Sequence, residues 1–111
     1  MTQIIPATRT EISIDRAILD LLPEQGSVEL QRDAAGKVHH FHTHPVDEIL
    51  VIVSGRLNFW WDGGERVCGA GDTILLPAGT LHQSQALDDS VYAIATLPPA
   101  KPMKQREISG Q

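Results

Sequence analysis

The chain has one cysteine, Cys68, in 111 residues, which excludes an internal disulfide framework. Flanked by Val67 and Gly69, it reads as a small packed thiol rather than a nucleophile, since free cysteine packs as a hydrophobe. Aromatic residues are equally scarce: Phe41, Phe59, Trp60, Trp61 and Tyr92 complete the set. Positive charge is in deficit, with 9 Lys and Arg against 14 Asp and Glu and a net charge of −5. That balance leaves no electrostatic footprint for nucleic acid. Lys101, Lys104 and Arg106 near the end of the chain read as a solvated tail. No apolar run approaches the roughly 20 residues of a membrane span. The first ten residues lack the basic-then-apolar pattern of a secretory signal. The expectation is a cytoplasmic protein whose partners include neither membrane nor nucleic acid.

What remains is an ordinary globular composition, 41% hydrophobic and 21% charged, in a chain of single-domain length. Short apolar runs alternate with turn residues at the spacing of an all-β sandwich or barrel. The runs predict strands at Thr10–Ile14, Ser27–Arg32, Lys37–His42, Glu48–Val53, Arg56–Trp61, Arg66–Cys68, Thr73–Leu76, Leu81–Ala86 and Val91–Leu97. Ser54-Gly55, Asp62-Gly63-Gly64, Gly69 to Asp72, Pro77-Ala78-Gly79 and Asp88-Asp89-Ser90 punctuate them with turn formers. The segment from Asp15 to Pro23 breaks the pattern. It offers Asp15 as an N-cap, apolar residues at 18, 19 and 22, and a terminating proline, which predicts a short helical turn. The domain is expected to span 1–111, with a core barrel over about 27–97, an N-terminal arm over 1–26 and a tail over 98–111.

Two motifs stand out. The first runs Gly36-KVHHF-His42-Thr43-His44-PVD-Glu48-ILVIVS-Gly55, and the second runs Gly71-DTILL-Pro77-Ala78-Gly79-TL-His82. On a strand, His42 and His44 point to one side, about 6.6–7 Å apart along the backbone, so their rings can converge on one ion. Glu48 follows one turn later and could add a carboxylate. His82 comes from a separate strand, which a curled sheet can bring opposite. Each residue alone is unremarkable; four ligand-type residues inside two turn-framed motifs favour a metal ion.

These stretches resemble the paired motifs of the cupin superfamily. The pattern is Gly, five residues, His-x-His, a short gap, Glu, six residues, Gly; then Gly, five residues, Pro-x-Gly, two residues, His. Every position is matched, and the short gap between Gly55 and Gly71 is like that of compact microbial members. An asparagine frequent four positions past the last histidine is replaced here by Ala86. The resemblance implies a double-stranded β-helix (a jelly-roll barrel) with one divalent metal per chain held by His42, His44, Glu48 and His82. It also implies a homodimer, with an edge strand or N-terminal arm crossing to the partner's sheet, an arm such as Gln3-Ile4-Ile5 covering an edge.

Three imidazoles and one carboxylate suit iron, manganese, nickel, cobalt or zinc. An octahedral ion would keep two open positions for an anionic oxygen donor. A redox metal there would support a dioxygenase, and a Lewis acid would support an isomerase, cyclase or decarboxylase. The leading expectation is a dioxygenase-like enzyme on a small oxygenated or anionic metabolite. A non-catalytic module that binds or senses a small molecule or metal is the alternative. Strand parity puts His40 on the side of His42 and His44, as a candidate group behind the ligands, and turns His39 away. Phe59 and Trp61 share one face and Trp60 takes the other, while Gln83 and Gln85 point away from His82.

Overall fold

The computed structural model describes residues 2–8, 12–24 and 26–97. Within them lie nine strands and one helix: β1 (Gln3–Ile5), α1 (Ile14–Leu21), β2 (Val28–Asp33), β3 (Val38–His42), β4 (Asp47–Ser54), β5 (Arg56–Trp61), β6 (Gly64–Gly69), β7 (Thr73–Leu76), β8 (His82–Ala86) and β9 (Ser90–Leu97). Strands β1, β7, β4, β9 and β2 form a five-stranded sheet in that order, and β3, β8, β5 and β6 form a four-stranded one. All the pairings are antiparallel. The result is the expected all-β jelly roll, two sheets packed over one core.

The core follows from strand alternation. Leu57 and Phe59 on β5, Ile74 and Leu76 on β7, and Leu50 and Ile52 on β4 each repeat at two residues and meet between the sheets. Cys68 joins them, fully buried, and burial with the nearby Asp72 charge pushes its thiol up to about 11. It is a packing residue, as read from the sequence. Strands β4 and β9 are buried on their other face as well. There Val51 and Ala93 pack against Ala17, so α1 covers the outer face of that sheet.

Two local expectations are corrected. The strand expected over Thr10–Ile14 is not one: residues 9–11 lie outside the described residues, Ile12 and Ser13 are irregular, and Ile14 opens α1. Ser13, rather than Asp15, is the N-cap, its hydroxyl accepting from the Arg16 amide at 3.3 Å. A β-branched, polar-spaced run suits a strand and equally supplies the approach and first turn of a short amphipathic helix, which is what forms here. The arm residues Gln3–Ile5 do form an edge strand, and they pair with β7 of the same chain. The expected tail, 98–111, lies outside the described residues.

Gly55 joins β4 to β5 with φ of +81°, a conformation open to glycine and strained for other residues. A Cβ there would press on the Ser90 hydroxyl and the Asp89 carbonyl, and would lie 2.7 Å from Ser90 Cα. Strain and overpacking together predict that Gly55→Ala loses about 2–4 kcal/mol, read by chemical denaturation.

Candidate metal centre

β3 and β8 are adjacent antiparallel strands, and His42 lies directly across from His82. His44 follows just beyond the end of β3, where the chain turns toward β4. The three imidazoles gather at one point, with ring centroids 4.3, 4.6 and 5.0 Å apart. One nitrogen from each lies within 4.8 Å of the other two, so the three histidines could hold a metal ion.

Two of the rings are held from behind. His42 Nδ1 donates to the carbonyl of His40 at 2.5 Å, and His82 Nδ1 donates to that of Thr80 at 2.9 Å. A proton on each Nδ1 leaves the Nε2 lone pair as the free ligand atom. Phe59 stacks on His82, centroid to centroid 5.7 Å with the planes 22° apart, which fixes that ring further. Burial pushes the pKa of His82 below the ordinary imidazole value, with help from His42 and His44 and against the Thr80 carbonyl. His82 is therefore held neutral, the form that binds a cation.

His44 differs. Its Nδ1 is buried and has no hydrogen-bond partner, although Glu48 Oε1 lies 2.9 Å away. Glu48 stands beside His44 but does not join the three imidazole nitrogens within 4.8 Å, so the fit to a metal rests on His42, His44 and His82.

The three histidines open into a cavity of about 240 Å³ between the sheets, a little below the usual size of ligand sites. Leu50, Leu57, Phe59 and Ile94 form its apolar wall. Glu29, Gln31, His39, Ser84 and Tyr92 add polar groups to the lining. The parity reading of β3 is thus corrected: His39 lines the cavity, and His40 is exposed. The cause is a β-bulge. His39 pairs with Ser84 but His42 pairs with His82, so one extra residue enters β3 between them and reverses the facing of everything before it. Phe59 and Trp61 face inward, with Trp61 partly buried against the core, and Gln83 and Gln85 alternate with the buried His82 and Ser84 as expected.

One residue escaped the sequence reading. Asp33, 2% exposed at the end of β2, accepts from the Tyr92 hydroxyl at 2.8 Å and from Gln31 Nε2 at 2.9 Å. His39 Nε2 completes its shell at 3.0 and 3.1 Å from the two carboxylate oxygens. Burial alone would push the Asp33 carboxyl up; the bonds from Gln31, His39 and Tyr92 outweigh it and hold the group below its ordinary value. Burial and Asp33 together push the Tyr92 phenol up, so it remains a donor. The available signal was polar residues at 29, 31 and 33. That period of two marks a strand whose polar face is the inner one, leaving Leu30 47% exposed.

Residues 29–96 match the family model for the cupin domain. The chain belongs to the cupin family. Within it, the chain is 34% identical over 61 residues to dimethylsulfoniopropionate lyase DddQ of Ruegeria pomeroyi. That match covers 54% of this chain and 30% of the lyase. The crystal structure of the same lyase superposes with a TM-score of 0.61 at 26% identity, over 68% of this cupin and 39% of that chain. This cupin therefore spans well under half the length of that relative. KdgF from a Halomonas species superposes with a TM-score of 0.57 at 25% identity, covering 68% of this chain and 75% of that one. Salicylate 1,2-dioxygenase of Pseudoaminobacter salicylatoxidans shares the fold, with a TM-score of 0.59 at 16% identity over 62% of this chain and 20% of its own. Among the described residues, no helix is long and apolar enough to cross a membrane.

Proposed function

We infer that this cupin is a metal-dependent enzyme acting on a small oxygenated or anionic metabolite. The observation that carries the reading is the convergence of three imidazole nitrogens within 4.8 Å, two of their rings held from behind by backbone carbonyls. His42 and His82 would bind through Nε2, with His44 beside them. Glu48 would be the fourth ligand. Its Oε1 stands 2.9 Å from His44 Nδ1, outside the group of three imidazole nitrogens, and would turn toward the ion to join them.

A bound divalent ion would supply Lewis acidity toward a ligand oxygen and offset negative charge developing there. The chain's own residues do the rest. The apolar wall limits water, and Ser84 and His39 offer hydrogen bonds to the oxygen and hydroxyl groups of a compact ligand. Proton-handling groups in the cavity favour non-redox chemistry (a lyase, isomerase or decarboxylase) over the dioxygenase expected first. The sequence match to a lyase supports the same branch. The assembly is proposed to be a homodimer, which light scattering reads directly.

The test is a screen of protein loaded in turn with iron, manganese, nickel, cobalt and zinc. The compounds are α-hydroxy acids, 1,3-dicarbonyls and dimethylsulfoniopropionate, with products read by mass spectrometry and dissolved oxygen by electrode. Product formation without oxygen uptake is the expected result. Uptake coupled to product would make it a dioxygenase, and stabilisation by a compound that is never converted would make it a binding module.

A further inference from the structure

The cavity has a second chemical pole that metal binding does not explain. His39 is three residues from the nearest proposed ligand and faces the same space. Its Nε2 is directed at both oxygens of Asp33, a carboxylate whose side chain is 1% exposed. Asp33 in turn is held by Tyr92 and Gln31, so its position is fixed from three sides. A carboxylate only accepts, so the imidazole proton must sit on Nε2. The other nitrogen, Nδ1, then carries a lone pair, and among the described residues it has neither a hydrogen-bond partner nor the burial that would strand it. The side chain as a whole is 32% exposed, open enough to meet a ligand.

We propose that His39, oriented by Asp33, is the proton-transfer residue of this site, with Nδ1 as the atom that meets the ligand. The inference rests on the metal-dependent reading above and adds its acid–base partner. In the step it performs, Nδ1 takes a proton from a C–H or O–H of the ligand. The electron pair of that bond stays on the ligand, as an enolate or alkoxide. The imidazolium so formed is offset by the Asp33 carboxylate, and the proton returns to the product in a later step. The ligand class is a small oxygenated acid with an exchangeable proton next to its oxygen donors. Tyr92 does not compete for this role, because its hydroxyl is committed to Asp33. The other charged or titratable groups that share the cavity are Glu29 at its rim, Glu48 and the three clustered histidines.

The test uses diethyl pyrocarbonate, which carbethoxylates unprotonated imidazole nitrogens, on the nickel-loaded full chain. Modification of each histidine is followed by peptide mass spectrometry with and without oxalate, and nickel is measured on the same sample. His39 is expected to react readily, and oxalate should slow it at least tenfold while leaving the exposed His40 unchanged. Asp33→Asn should weaken the oxalate protection of His39, because the carboxylate that orients its ring through Nε2 is gone. The oxalate comparison on the wild type stands even if that variant does not fold. A loaded protein in which oxalate leaves His39 unprotected, or in which His39 is inert, overturns this inference alone. A protein that takes up no nickel overturns it together with the metal reading.

Discussion

His82→Ala is expected to lower affinity for nickel or zinc by more than about 100-fold, since even partners behind the ligands are worth 10–100-fold. His82 is 5% exposed, opposes His42 across the β3–β8 pair and stacks on Phe59, so no neighbour can swing in to replace it. The fold should survive. Removing the imidazole leaves a cavity at the edge of an existing one, and the Thr80 carbonyl can turn to water. Gln83→Ala, one residue along and on the other face of β8, should leave the affinity within about twofold. Calorimetric titration of the two variants beside the wild type separates loss of a ligand from general damage to the strand.

Asp33→Ala is expected to cost about 3 kcal/mol of stability. It strands the Tyr92 hydroxyl, which is 4% exposed, and removes charge-assisted bonds from Gln31 and His39. The pH dependence carries a sign. The folded carboxyl lies below its ordinary value of 3.8, so its contribution is complete above that pH and is lost as pH falls through the folded value. The gap in melting temperature between wild type and Asp33→Ala should therefore be constant at neutral pH and narrow only below about pH 3.8. A gap that already narrows at neutral pH would contradict the reading that the ionised Asp33 carboxylate carries this stability.

Much of this fold was legible because its information is local. The Gly55 turn needs a left-handed residue and a Cβ-free approach to Ser90, so the glycine had to appear in the sequence. The β5 alternation of Leu57, Phe59 and Trp61 declared one inner face in advance, although only the sheet pairing decided which. The three histidines were legible for a related reason. A constellation drawn from two strands is recognisable when each half carries its own spacing.

The rest depends on pairings that no local pattern contains. The bulge between His39 and His42 is set by how β3 registers against β8, and it exchanged the roles of His39 and His40. Asp33 was passed over because its partners are 59 residues away at Tyr92 and 6 residues away across a turn at His39. A buried carboxylate is readable only once those partners are in place. Ser13 replaced Asp15 as the cap because both residue types suit an N-terminus and the choice rests on backbone angles; Ser13 has φ −92° and ψ 156°.

The most direct measurement is the metal content of the unmodified chain, purified without chelator or histidine tag and then reconstituted with each candidate ion. One divalent ion per chain is the predicted result, bound in competition with a chelating dye and released when His42 or His82 is replaced. A chain that holds none after reconstitution, with its fold intact by circular dichroism, would contradict the account at its centre.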